Sequence, residues 1–513
     1  MSEEKTLYTF YKTWGNNILF RYRKNGKSYA KKVDFYKPSL YIKSDNGDGD
    51  MTSIFGYPLK RIPFDGIRDA KAFANQYKDV EGFQIEGNSD FANQFIIELY
   101  EGQMPNFDPN AIRVGILDIE VKAPEFPKPE ESKWPINGIT IYDNFTDTYY
   151  CIGDKPYVHD KADEMVGKLN VEFTLCANEV ELLTAMLRHF KEFQYDLTSG
   201  WNSEKFDMPY IVNRCYKIVG EALTKDSLSP FGMIDVREIN GDFGNTQLKA
   251  DIMGMPHCDY MALYDKHNFT PRESMRLDFI GQEELGEGKM TYEEEGDLAN
   301  LYDVNPQKFY AYNIRDTYLV KALNDKLGFL NITYTLAYYC LANFEETLGT
   351  TKIWEKLIAK HLYNKGCVPL FAAKRSDAQE FDGAFVHPTQ TGFFEWLVSV
   401  DLNSLYPMNE IQYNIGPETY IPREQLPEEL LKLKAMHTLD DLVEASVDLS
   451  ALKKYNVAMT GNFEFYDRSK KGFMAEIKDE LYSGRKTFKK KMLKAQSEVQ
   501  NLKAEARRRG LIA

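Results

Sequence analysis

The run Gly115-Ile116-Leu117-Asp118-Ile119-Glu120-Val121 sets the tightest limit on how this chain can fold, because it places two acids inside an otherwise apolar stretch. Side chains alternate along a strand, so Asp118 and Glu120 point to one face and Ile119 to the other. Two hard oxygen ligands then share one spot. A solvated strand face would read the same way when taken alone.

Two further segments narrow the choice. In Ser199-Gly200-Trp201-Asn202-Ser203-Glu204-Lys205-Phe206-Asp207-Met208-Pro209-Tyr210 a Gly-Trp-Asn turn leads to Asp207, which lies between apolar Phe206 and Met208. An aspartate at a helix N-terminus is the plainer account of it. In Tyr312-Asn313-Ile314-Arg315-Asp316 a phenol and a carboxylate stand four residues apart, on one face of a helix, and so address the same place.

In this order the three segments resemble the Exo I, Exo II and Exo III elements of the proofreading domain in family B DNA polymerases. The resemblance implies a ribonuclease-H-like 3′-5′ exonuclease domain. It also implies that Asp118, Glu120, Asp207 and Asp316 bind two divalent ions, Mg²⁺ or alternatively Mn²⁺, while Tyr312 orients the attacking water. The residue types suit the chemistry. Phosphodiester hydrolysis needs a hydroxide near neutral pH and charge neutralisation at the leaving oxygen, which paired ions about 3.5–4 Å apart supply. Carboxylates are natural ligands for Mg²⁺. No serine or cysteine has a compelling base beside it in sequence.

Further on, Val400-Asp401-Leu402-Asn403-Ser404-Leu405-Tyr406-Pro407 follows a strand-like run and resembles motif A of the same family. The resemblance implies a polymerase metal ligand in Asp401 and in the Leu402 carbonyl, with Leu402, Ser404, Leu405 and Tyr406 at the nucleotide and Tyr406 under the sugar. Phe381-Asp382-Gly383-Ala384-Phe385-Val386 resembles the Tyr-x-Gly-Gly/Ala segment, with Phe in place of Tyr. Apolar Phe488, Met492, Ala495, Val499, Leu502 and Ala506 fall on one face of a helix over residues 477–509, whose other face is strongly basic and which Gly510 can stop. Arg485 and Lys489 project together from it, suited to a triphosphate, as in the family's first fingers helix.

The layout as a whole most resembles the replicative polymerases of T-even-like phages. Two family elements are missing: the Lys-x-x-x-Asn-Ser-x-Tyr-Gly helix, and the Asp-Thr-Asp strand that supplies the second catalytic carboxylate. Asp401 alone cannot hold two ions for in-line phosphoryl transfer. The expectation is a split polymerase, in which this N-terminal polypeptide proofreads and joins a C-terminal chain to polymerise. A truncated chain is the alternative explanation of its end. A DNA-binding or assembly module without activity is the competing function, and a nuclease unrelated to replication is a weaker third. Implied partners are primer-template DNA, single-stranded 3′ ends, dNTP, the C-terminal chain, a sliding clamp and other replisome proteins.

With 513 residues the chain exceeds one core and is expected to be multidomain α/β. Residues 6–42 alternate around Asn25-Gly26, a hairpin signal, and open a β-rich N-terminal domain at 1–108, to which 341–382 return. The exonuclease domain is expected at 109–340, the first part of a palm at 383–470 and the first fingers helix at 471–513. Expected strands are 95–99, 114–121, 138–142, 147–151 and 397–402, and expected helices 179–192 and 345–363. Six dispersed cysteines without a CxxC pair argue against a zinc site or a disulfide framework. A net charge of −14 argues against indiscriminate coating of DNA, though not against metal-binding acids. No apolar run reaches membrane-spanning length and no signal peptide opens the sequence, so the cytoplasm is expected, that of the bacterial host if phage-encoded.

Overall fold

The structure, a computed structural model, describes residues 6–511 apart from 79, 162, 241–245, 293, 295, 372–387 and 403. It divides into two compact units, Met1–Ile42 with Arg61–Lys360, and Lys43–Lys60 with His361–Ala513. No helix among the described residues is long and apolar enough to cross a membrane.

The first unit opens with an antiparallel meander of Leu7–Trp14, Asn17–Lys24 and Lys27–Val33. Lys24 pairs with Lys27, and the two residues between them take positive φ, 52° at Asn25 and 74° at Gly26, as the tight hairpin demands. Residues 95–99, expected as a strand, lie instead in the helix Phe91–Leu99. A short apolar run does not distinguish the two states, and Asp90 decides it by capping the amide of Asn93 at 3.1 Å. Residues 341–343 cross back over the first strand. Tyr11 Oη donates to the Leu341 carbonyl at 2.7 Å, Tyr8 Oη to that of Ala342 at 2.8 Å, and Asn343 pairs with both backbone groups of Tyr11.

A five-stranded sheet forms the rest of this unit's frame, in the order Val171–Leu175, Thr148–Gly153, Ile136–Asp143, Val114–Val121, Leu197–Ser199. The three central strands are antiparallel and each outer strand is parallel to its neighbour. The expected helix 179–192 is Glu179–Phe193, which turns Leu182, Leu183, Met186, Leu187 and Phe190 into the core. That core takes Leu117, Ile119 and Val121 from the Val114–Val121 strand. The helix Pro306–Leu327 packs on the opposite face, where Gly153 is essential: a Cβ there would collide with the Tyr310 ring.

Charge also ties the meander to this sheet. Arg21, 2% exposed, donates to the carbonyls of Tyr195, Gly254 and Gln194 at 2.5, 2.7 and 2.6 Å. Arg23 pairs with Asp196, which is wholly buried and also accepts the Arg113 amide at 2.8 Å.

In the second unit Cys367–Val368 lies parallel to Met51–Ser53, and the hairpin Val457–Met459 with Phe465–Asp467 packs on Leu426, Leu430 and Leu433. The long basic helix runs Phe473–Arg508 and stops at Gly510, whose φ is 68°. Residues 397–402 are not a strand. No described strand lies beside them to take their backbone hydrogen bonds, and Leu397, Val398, Val400 and Leu402 remain exposed. The segment 381–386 lies outside the described residues.

Removing Asp196 leaves two guanidinium groups buried without their carboxylate. Asp196→Ala is expected to cost about 3–5 kcal/mol, read from urea unfolding, and a cost within about 0.5 kcal/mol of zero would show that the pair carries no structural role.

Candidate active site

The strand Val114–Val121 supplies Asp118 and Glu120 on the face turned away from the apolar core. Its parallel neighbour pairs only as far as Ser199 opposite Ile116 and then turns at Gly200. A Cβ on Gly200 would lie 2.6 Å from the Leu117 carbonyl, so only glycine lets the turn press on the strand here. Beyond the end of pairing, Asp207 Oδ1 accepts the Ile119 amide at 3.0 Å. Asp207 is also the first residue of the helix Asp207–Ile218, so the plain expectation of a helix N-terminal aspartate and the ligand expectation describe one side chain.

From the other side comes Pro306–Leu327, started by Pro306 and by Asn305, which caps the Lys308 amide at 3.2 Å. Tyr312 and Asp316 lie one turn apart on its buried face. Carboxylate oxygens of Asp118, Glu120 and Asp316 all fall within 4.8 Å of one another. Asp207 stands outside that group of three and is joined to it through its bond to the strand amide between Asp118 and Glu120.

Two neighbours that the sequence reading did not single out hold this arrangement. Asn313 donates to Asp118 Oδ2 at 2.7 Å and so fixes its rotamer. Lys289 Nζ donates to Tyr312 Oη at 3.1 Å and pairs with Asp316. Asn313 sits inside a recognised segment, but a lone lysine at 289, outside every periodic pattern, carries no signal that would mark it.

Burial raises all four carboxyl groups, and repulsion from the other acids adds to it at Asp118 and Glu120. Burial, then the charges of Glu120, Asp316 and Asp207, hold the Asp118 carboxyl well above its usual range. Burial followed by the charge of Asp316 pushes Glu120 up to about 8, and burial pushes Asp207 up to about 7 against the opposing Ile119 amide. Asp316 is raised by burial despite Lys289. Burial and Asp316 also raise Tyr312, so its phenol stays protonated at neutral pH and can only donate or accept a hydrogen bond.

This donor set fits a hard divalent cation. Its ligands are all carboxylate oxygens, with no thiol or imidazole among them, and Asp316 Oδ1 is buried without a hydrogen-bond partner.

The residues expected at a polymerase site belong to the second unit. Ser404, with φ of 54°, precedes the helix Leu405–Tyr413, and Arg485 Nη1 donates to its Oγ at 3.1 Å. Leu402, Leu405 and Tyr406 are exposed, as are Asp401 and Lys489. Asp401 joins no carboxylate cluster among the described residues.

Residues 88–280 match the exonuclease domain of DNA polymerase family B, and residues 346–509 match DNA polymerase family B. The chain belongs to this family. It is 31% identical to the DNA-directed DNA polymerase of Escherichia phage RB69 over 81% of this chain and 47% of the relative. With the DNA-directed DNA polymerase of Enterobacteria phage T4 it shares 27% identity over 97% of this chain and 55% of the relative. The DNA polymerase delta catalytic subunit of Oryza sativa subsp. japonica is 24% identical over 65% of this chain and 29% of the relative. The chain thus spans about half the length of the phage relatives it matches.

Glu120 and Asp207 have folded-state values of about 8 and about 7, above their ordinary 4.5 and 3.8. They stay protonated where the unfolded chain ionises, so their contribution to stability is full below pH ~4 and is lost as pH rises through about 7 to 8. In EDTA the melting temperature should therefore fall between pH 5 and 8, and Glu120→Gln should flatten the slope. Mn²⁺ binding displaces those protons, so it should raise the melting temperature more at pH 8 than at pH 5.5. An equal cation effect at both pH values would contradict the site.

Proposed function

We propose that this chain is the N-terminal part of a replicative DNA-directed DNA polymerase and that its own residues carry a 3′-5′ proofreading exonuclease. One observation carries the reading: carboxylate oxygens of Asp118, Glu120 and Asp316 lie within 4.8 Å of one another, Asp207 bonds the strand amide between the first two, and a protonated phenol stands beside them. The ribonuclease-H-like character proposed for residues 109–340 is supported by the mixed sheet, with antiparallel centre and parallel outer strands.

Asp118, Glu120, Asp207 and Asp316 would hold two Mg²⁺ or Mn²⁺ ions. When bound, such ions supply a hydroxide near neutral pH and neutralise charge at the leaving 3′ oxygen. The protein's own groups do the rest. The Asn313 bond to Asp118 Oδ2 orients that carboxylate. Lys289 offsets the charge of Asp316 and holds the Tyr312 hydroxyl, which is placed to orient a water for attack on the terminal phosphodiester. Cleavage of the P–O bond by water releases a nucleotide, and no covalent enzyme intermediate is needed.

For nucleotide addition the chain contributes Asp401 and the Leu402 carbonyl as metal ligands, Ser404, Leu405 and Tyr406 at the nucleotide, and Arg485 with Lys489 at the triphosphate. The contact of Arg485 with Ser404 supports a common locus for the helix and motif A. In-line transfer needs a second carboxylate, supplied from outside these 513 residues by the same or by a separate polypeptide.

The double variant Asp118→Ala with Glu120→Ala should lower Mg²⁺-dependent shortening of single-stranded DNA by ~10³-fold or more, on the scale of losing a catalytic group. Its melting temperature in EDTA should hold or rise, because two repelling carboxylates are gone. Undiminished shortening would refute the assignment, and a wild-type chain that binds DNA without releasing nucleotides would favour the assembly-module reading. Primer extension should require a C-terminal complement and should be lost with Asp401→Ala.

A further inference from the structure

The turn before Asp207 is bonded to a segment some 55 residues further on. Residues 256–260 run alongside the end of the Leu197–Ser199 strand. Thr198 N donates to the Pro256 carbonyl at 3.0 Å, Cys258 N to Thr198 at 2.9 Å and Tyr260 N to Gly200 at 2.8 Å. Asp259 then turns its side chain, 3% exposed, back into the turn. Its Oδ1 accepts the amides of Asn202 at 3.0 Å and Met261 at 2.9 Å, and its Oδ2 accepts the Glu204 amide at 3.1 Å. Beside it, Ser203 Oγ shares a hydrogen bond of 2.9 Å with His257 Nε2, and the Ser203 carbonyl accepts the Met208 amide at 2.9 Å. From Asp259 a continuous set of bonds thus runs through residues 202–204 into the first turn of the helix that Asp207 begins.

We infer that Asp259, supported by His257, is a positioning residue of the exonuclease centre: its two oxygens fix the turn that delivers Asp207 to the strand bearing Asp118 and Glu120. The inference rests on the exonuclease reading above. Capping its own helix, Tyr260–His267, explains only the bond to Met261. One oxygen suffices for a cap, and asparagine caps as well as aspartate. The other two bonds go to the turn, and only a carboxylate offers acceptors in both directions. An asparagine would present its NH₂ to one of these amides.

That asymmetry makes Asp259→Asn a selective test, because the helix cap survives while a bond to the turn is lost. Mn²⁺ binding to the full chain, read by electron paramagnetic resonance of the free ion, should weaken about tenfold or more, the scale of losing an outer support of a metal ligand. The melting temperature in EDTA should fall by a few degrees at most, the cost of one buried amide left without its acceptor. Ser203→Ala cuts the His257 link without touching the helix and should weaken Mn²⁺ binding in the same direction, which keeps the test open if Asp259→Asn folds poorly. Asp207→Ala sets the reference loss. If it weakens Mn²⁺ binding while Asp259→Asn and Ser203→Ala bind as the wild type does, the positioning role is overturned. If Asp207→Ala and the double variant at Asp118 and Glu120 bind Mn²⁺ undiminished, the exonuclease reading fails and this inference falls with it.

Discussion

Repulsion among Asp118, Glu120, Asp207 and Asp316 is the constraint to which the rest of the first unit answers. Unit charges about 4 Å apart in a poorly screened interior repel by several kcal/mol, so such a cluster persists only where its backbone leaves it no freedom. Here the strand sets the spacing of two acids, a helix sets the third, and a strand amide holds the fourth. Lys289 is the cation among them, and protonation relieves what charge it leaves. The arrangement is poor for stability and suited to seating divalent ions, as expected where a site is selected for chemistry.

The N-terminal meander takes part in this from a distance. Arg21 binds the carbonyls of Gln194 and Tyr195, just before the Leu197–Ser199 strand, and that of Gly254, just before residues 256–260. One buried guanidinium therefore brings the starts of two segments together. Those same segments go on to lie side by side and to hold the turn ahead of Asp207. A small β-sheet far from the acids in sequence is thus part of the scaffold that sets their geometry.

Much of this was legible in the residues. Alternation around Ile119 gives the strand and the shared face of its acids, and the four-residue interval gives Tyr312 with Asp316. What sequence could not reveal depends on encounters between distant segments. Lys289 and Asp259 are single charged residues with no local pattern, and their roles arise only when the chain returns past the strand. Phe91–Leu99 was obscured because a short apolar run suits either a helix or a strand until a cap such as Asp90 is weighed. At 397–402 the β-prone residues are present, but a strand is a property of two neighbours, and no described segment provides the second.

Gly153 and Tyr310 act as a latch on the helix that carries Tyr312 and Asp316. The ring occupies the space left by the missing side chain, while its hydroxyl accepts the amides of Asp154 and Lys155, both at 3.0 Å. A helix bolted in this way cannot ratchet by one turn along the sheet, since the aromatic wedge would have to leave its notch. The height of Asp316 above the strand is thereby set by a residue with no side chain, because any side chain at 153 would push the Tyr310 ring, and the helix with it, off the sheet.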